Sequence, residues 1–468
     1  MSTSGPAPYR VVIIGAGPSG FYAAEALLDA GAEPGGPRIE VDMVDRLATP
    51  WGLVRSGVAP DHPKIKSVSA QYEKTAARPG FRFFGHVEFG EHVTRDELLD
   101  RYDAVLYAVG SQTERRLGLP GEDLPGSLAS VDFVGWYNGH PDHADLDPDL
   151  SADRAVVIGA GNVALDVARM LLLPDEDLRA TDTADHALAG LAASAVREVV
   201  LCGRRGAAQA AFTTSELREL ADIDGLTRIV DPEQIPAADD PAVADQPKST
   251  RRNLDVLRGW AEPGDGATGD GRRVLEFRFL RSPVEIRGEG RVEEIVLGVN
   301  RLEPGEDGRI RAVDTGERET VPCGLVLRAV GYRGAQLPDV PFDEAGGTIP
   351  HEGGRVAGCE REYVVGWIKR GPSGIIGTNR KDAAETVRHL LEDLAEGSGA
   401  RGPASSADEV GAWLRTRCPD LVDQAGWEAI DAHERDRGTG DGRPRVKVTD
   451  RATMLELAGG VAVPAGPG

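Results

Sequence analysis

"AVVIGAGNVALDVARML", residues 155–171, runs from apolar residues through a glycine turn into a helical pattern, and it is the second such stretch in the chain. The first is "RVVIIGAGPSGFYAAEALL", residues 10–28. A short unbroken apolar run is the mark of a strand covered on both faces, and the apolar spacing after each turn is that of a helix. Each stretch therefore opens a parallel βαβ unit, and the chain is read as α/β with that opening used twice.

The residues of the turns say what they are for. In "GAGPSG" Gly15 permits the tight turn, Gly17 leaves room for a pyrophosphate to meet the backbone, and Gly20 lets helix pack on strand. Pro18 and Ser19 begin the helix, whose N-terminus favours an anion. The next strand, "RIEVDMVD", ends at Asp45, followed by Arg46. An acid at that distance hydrogen-bonds a free ribose hydroxyl. The second turn, "GAGNVA", keeps Gly159 and Gly161, runs through Ala160, Asn162 and Val163, and has Ala164 in the third glycine place. Its next strand, "REVVLCGRRG", presents Arg204 and Arg205 where a free ribose would need an acid. Paired guanidinium groups grip a 2′-phosphate by charge-assisted bonds. Two different nucleotides are expected, FAD at the first turn and NADP at the second, in two Rossmann-like dinucleotide-binding domains.

Working outward, 468 residues allow about two to four domains. "DRLATPWGLVRSGVAPDHPKIK" after the second strand has no periodicity and reads as a long loop. "YDAVLYAVG" and "CGLVLRAVG" both end in Ala-Val-Gly and mark paired crossings between domains. These crossings place an NADP-binding domain over residues 113–332, inserted into a discontinuous FAD-binding domain of residues 1–112 and 333–468. An insertion around 174–195, a polar region at 231–272 and strands in "RVLEFRFLRSPVEIRG" and "RVEEIVLGVN" belong to the inserted part. Beyond residue 400, two amphipathic patches are expected to pack on the first domain.

Four long motifs resemble the adrenodoxin reductase family of ferredoxin–NADP reductases, especially its bacterial members. They are "RSGVAPDHPKIK", "GAGNVALDVARML", "GRRGAAQAAFTTSELREL" and "GWIKRGPSGIIGTNRKDA", with a weaker echo in "GRPRVKV" near the end. The resemblance spans residues 10 to 395. It implies that Asp45 meets the FAD adenosine ribose, that Leu53 lies in the loop passing the cofactor and Val87 near the adenine, and that Trp367 with Gly374, Ile375 and Ile376 meets the flavin, Gly374 also lying near the nicotinamide. It further implies that Arg115, the turn Ala160–Val163, Arg204, Arg205 and Glu216 hold NADP. Glu216 reads equally as a salt-bridge partner of the two arginines, as a ribose ligand, or as a group near the transferred hydride. His62 and Asp166 match polar residues near the reacting rings, so the catalytic candidates are His62, Asp166 and Glu216.

The implied activity is hydride transfer from NADPH to FAD, then single-electron transfer to a ferredoxin. A flavin monooxygenase or a general diaphorase would use the same two sites. The four cysteines lie far apart, so no CxxC relay and no metal or cluster ligand set is expected. A net charge of −23 argues against nucleic acid and anionic membranes. There is neither a signal-like N-terminus nor an apolar run of about eighteen residues, so a cytoplasmic protein without membrane insertion is expected.

Overall fold

The computed structural model describes residues 7–261, 273–306, 308–397 and 405–459. The end of the expected polar region, 262–272, lies outside them, as do the outermost residues of the expected first domain. The chain separates into two compact units. One comprises Met1–Val58, His62–Thr113 and Gly331–Gly468, the other Ala59–Asp61 and Glu114–Val330.

In the first unit the strand Tyr9–Ile14 sits centrally in an eight-stranded sheet, with parallel neighbours Ile39–Val44 and Ala104–Tyr107. Parallel strands Phe81–Gly85 and Glu362–Val364 follow on either side. Alternation divides the core between the sheet faces. Val11, Ile13, Val41, Met43 and Leu106 pack with Phe21 and Leu27 of the helix Pro18–Ala32 on one face. Val12, Ile14, Val44, Val105 and Tyr107 pack on the other with Val410 and Leu414 of the helix Ala407–Arg417. Fully burying one such side chain contributes roughly 1.5–3 kcal/mol.

The second unit repeats this plan. Arg154–Ile158 is central in a six-stranded parallel sheet, between Glu198–Gly203 and Leu325–Arg328. Val157, Val199, Leu201 and Leu327 face the helical side, where Leu165 and Ala168 pack. Val156, Ile158, Val200 and Val326 instead meet Ile295, Leu297 and Val321 of a three-stranded antiparallel sheet. The run "RVLEFRFLRSPVEIRG" divides between the two sheets. Arg273–Phe279 joins the parallel one, Leu280 turns with φ of 58°, and Arg281–Arg287 begins the antiparallel one. The stretch read as a long loop holds short helices, Leu53–Ser56 and Pro63–Lys66, too brief to show periodicity. The insertion near 174–195 folds as helices Asp175–Arg179 and Asp185–Ala192.

In each unit an Ala-Val-Gly segment closes the first glycine turn from beneath. Gly15 has φ of 107°, and a Cβ on it would lie 2.6 Å from the Ala108 carbonyl oxygen. Gly159 has φ of 144°, with the Ala329 carbonyl oxygen at 2.3 Å from such a Cβ. Neither position admits another residue without moving backbone.

Candidate functional site

The two turns are built alike and left open alike. The helices Pro18–Ala32 and Asn162–Leu172 start after Gly17 and Gly161, with no side-chain cap and no acid in the first turn. Their leading N–H groups and positive dipole ends suit an anion. A Cβ on Gly161 would meet nothing within 4 Å, and one on Gly17 only the Gly52 Cα at 4.0 Å. The middle glycines are therefore not required by packing, and the space above them fits a phosphate. Gly20 differs, since its Cβ would strike the Gly15 carbonyl oxygen at 2.2 Å. In the second turn the corresponding residue, Ala164, is buried.

Around the first turn, Asp45 is held by backbone N–H groups. Its Oδ2 accepts from the Ala16 N–H at 2.7 Å and its Oδ1 from the Leu47 N–H at 2.8 Å. Burial raises its pKa, with the two backbone N–H groups and Arg46 opposing. Each oxygen retains a second lone pair for a hydroxyl. Val87 is buried alongside, its N–H donating to the Asp45 carbonyl at 2.9 Å. Leu53 begins the short helix after Gly52. Ser19 donates to Asn379 Oδ1 at 3.1 Å, tying the turn helix to the helix Ile376–Glu396.

That long helix begins after Gly374, which has φ of 84°, and Ile375, which is 68% exposed. Trp367 is half-buried, with its ring 5.5 Å from that of Tyr332. The acid that sequence reasoning did not find is Asp382. Its Oδ2 accepts from the Gly366 N–H at 2.6 Å and its Oδ1 pairs with the buried Lys369 at 2.8 Å, fixing the turn that presents Trp367. Its place one helical face inside Ile376–Glu396 left no signal in the chain order. His62 is buried in the first unit, and its carbonyl accepts from the Ile65 and Lys66 N–H groups.

In the second unit the turn is pinned by the following segment. The Ala160 carbonyl accepts from the Ala211 N–H at 2.7 Å, and Asn162 Oδ1 from the Thr213 N–H at 2.8 Å. Arg204 is exposed and Arg205 half-buried at the end of the strand Glu198–Gly203. Their carbonyls are held by Asn300 Nδ2 at 2.8 Å and the Leu280 N–H at 3.1 Å. Among the described residues neither guanidinium has an ion-pair partner, and the exposed Arg115 has none either.

Glu216 is consequently not the salt-bridge partner of Arg204 and Arg205, which corrects one of its three readings. It lies buried on the helix Thr214–Glu219, and its cationic neighbour is Arg169, at 3.6 Å. Arg169 is also buried and pairs with Asp166 at 2.8 Å and Asp61 at 2.5 Å. With those acids competing for one cation, burial and then the Asp166 charge push the Glu216 pKa up to about 8, against the pull of Arg169. The protonated form of Glu216 is therefore favoured relative to a solvated carboxyl. Sequence reasoning missed Arg169 because an arginine in "DVARML" reads as a solvated helix residue.

Residues 9–201 match the family model described as pyridine nucleotide-disulphide oxidoreductase. The chain is 55% identical over 454 residues to the NADPH-ferredoxin reductase FprA of Mycobacterium tuberculosis, covering 96% of this chain and 99% of that protein. It is 42% identical over 459 residues to the human mitochondrial NADPH:adrenodoxin oxidoreductase, covering 96% and 92%. The solved structure of M. tuberculosis FprA in complex with NADPH superposes with a TM-score of 0.93 at 54% identity, over 97% of this chain and all of that one.

Proposed function

The chain belongs to the family of NADPH-ferredoxin reductases that also holds the adrenodoxin reductases, and from that premise we propose how its own residues divide the work. It is a flavoprotein oxidoreductase that takes hydride from NADPH on FAD and passes electrons to an iron–sulfur carrier. Bound FAD supplies the chemistry, since it accepts electrons as a pair and releases them singly.

In this reading the first unit binds FAD. Gly15, Gly17, Pro18, Ser19 and Gly20 bring the helix N-terminus to its pyrophosphate, and Asp45 accepts from its ribose. Arg46, Leu53 and Val87 line the adenosine. Trp367 and the turn Gly374–Ile375–Ile376 border the flavin, where the exposed Ile375 offers an apolar surface and the long helix a positive end. The second unit binds NADP, with Gly159, Ala160, Gly161, Asn162 and Val163 on the pyrophosphate and Arg204, Arg205 and Arg115 on the phosphates. A protonated Glu216 presents a hydrogen-bond donor in place of a negative charge, which suits an anionic nucleotide. Burial and the Asp166 charge keep it so against the pull of Arg169, and His62 orients or holds a proton near the flavin.

The carrier is a ferredoxin in this proposal, and the protein works in the cytoplasm without binding nucleic acid. All four cysteines are unpaired, which suits a reducing compartment. Among the described residues no helix is long and apolar enough to cross a membrane. The observation that carries the reading is the contrast between the two open turns: one is backed by the carboxylate of Asp45, the other by two guanidiniums with no ion-pair partner among the described residues. Anaerobic mixing with NADPH should bleach the flavin absorbance and then reduce added ferredoxin. Bleaching without ferredoxin reduction would leave a diaphorase instead.

A further inference from the structure

Trp51 is buried yet has φ of 83°, and Gly52 after it has φ of 50°. A bulky residue persists in that region only when its surroundings over-determine it, and such turns gather at ligand sites. The surroundings here come mostly from the far end of the chain. The Trp51 N–H donates to the Ala16 carbonyl at 2.7 Å, within the first glycine turn. Its ring meets the edge of Trp427 with centroids 4.9 Å apart, and the Arg445 guanidinium lies 5.6 Å from it. One turn on, Arg55 donates through both terminal nitrogens to Glu434, at 2.8 and 2.5 Å. Glu434 is fully buried and also accepts from Arg445 at 3.0 Å and from the Val448 N–H at 2.9 Å. Lys447 Nζ closes the ring on the Arg55 carbonyl at 3.1 Å. Arg445, Lys447 and Val448 belong to "GRPRVKV", the late motif that the nucleotide sites leave unused.

The outcome of this bracing is the placement of one backbone on another. A Cβ on Gly52 would lie 2.9 Å from the Gly17 Cα, so the 51–52 turn rests directly on the glycine whose open side faces the expected pyrophosphate. Burial would raise the Glu434 carboxyl, but the Arg55 and Arg445 guanidiniums outweigh it and hold it below the usual range. An ionised, fully coordinated carboxylate is a rigid anchor.

We propose that Glu434, with Trp427 and Arg445, is a positioning residue for FAD: the segment 427–448 clamps the strained Trp51–Gly52 turn against Gly17 and so sets the affinity and environment of the cofactor. The proposal rests on the reading that the first glycine turn holds FAD.

The test uses the full-length holoenzyme and the variants Glu434→Gln, Trp427→Phe and Gly17→Val. FAD release is followed by flavin fluorescence, the flavin environment by visible circular dichroism, and the second unit by calorimetry with 2′,5′-ADP. Glu434→Gln should weaken FAD binding about tenfold or more and change the visible dichroism, with 2′,5′-ADP affinity held within about twofold. Trp427→Phe should move both flavin readouts in the same direction by less, and it decides the matter should Glu434→Gln not fold. Gly17→Val, whose Cβ has only the Gly52 Cα within about 4 Å and otherwise projects into the open cradle, should lose FAD. Variants Glu434→Gln and Trp427→Phe that melt earlier but keep wild-type FAD affinity and dichroism would overturn the clamp, leaving a purely structural ion pair. Retention of FAD by Gly17→Val would overturn the premise itself.

Discussion

In the proposed reading nucleotide choice turns on Arg204 and Arg205, whose backbones are anchored while their guanidiniums have no ion-pair partner among the described residues. Such groups lose no existing partner when they take a phosphate. Each charge-assisted bond is worth roughly 1.5–3 kcal/mol, so Arg204→Ala with Arg205→Ala should lower the NADPH-over-NADH preference by about two to four decades in kcat/KM. Unchanged discrimination would refute the assignment. Glu216 offers a pH test. Its pKa is raised from 4.5 to about 8 in the folded chain, so between those values the folded state binds more protons than the unfolded state. By linkage, its contribution to stability then falls as pH rises through that window. Denaturant melts from pH 5 to 9 should show a smaller loss in Glu216→Gln than in the wild type. Glu114, also pushed up to about 8, supplies a slope that remains. Both shifts come mainly from burial, which no pattern in the sequence shows.

Helix starts and one charged helix carry the element-scale expectations. Gly161→Val places a side chain in space that the protein leaves open, so it should fold normally and lose NADP affinity by about tenfold or more. Gly159→Val should fail differently, by unfolding, because its Cβ meets the Ala329 carbonyl and its φ is positive. Thermal melts paired with 2′,5′-ADP calorimetry separate the two. For carrier docking the candidate is the helix Lys248–Ala261, where Lys248, Arg251 and Arg252 are exposed. Arg258, seven residues after Arg251, is taken up by the Pro236 carbonyl and Asp255, so it is not a free docking charge. Arg251→Glu with Arg252→Glu should reduce ferredoxin turnover and its salt dependence while sparing ferricyanide reduction. Equal loss with both acceptors, or none with either, would place docking elsewhere.

Across the whole molecule, a charge of −23 would repel an acidic carrier at long range, but screening over about 8 Å would let a local basic face decide docking. Each unit has its own sheet, core and open turn, so ligands should protect them separately. In hydrogen exchange, 2′,5′-ADP is expected to slow the amides of 159–163 and 204–205, and FAD those of 15–20 and 45–53; protection in the opposite unit would reverse the assignment of the two sites. The doubled βαβ plan was legible in the sequence, because it depends on neighbours a few residues away and on a repeated spacing. The excursion of Ala59–Asp61 into the second unit, the clasp of Asp382 on Gly366, the burial beside Asp166 that raises the Glu216 pKa and the Glu434 ion-pair network behind the Trp51 turn were not. Those depend on which groups meet after burial, at separations of up to 392 residues. In the sequence each is an ordinary charged residue; only desolvation and a unique set of tertiary neighbours decide whether it stays a solvated surface group or becomes part of a site.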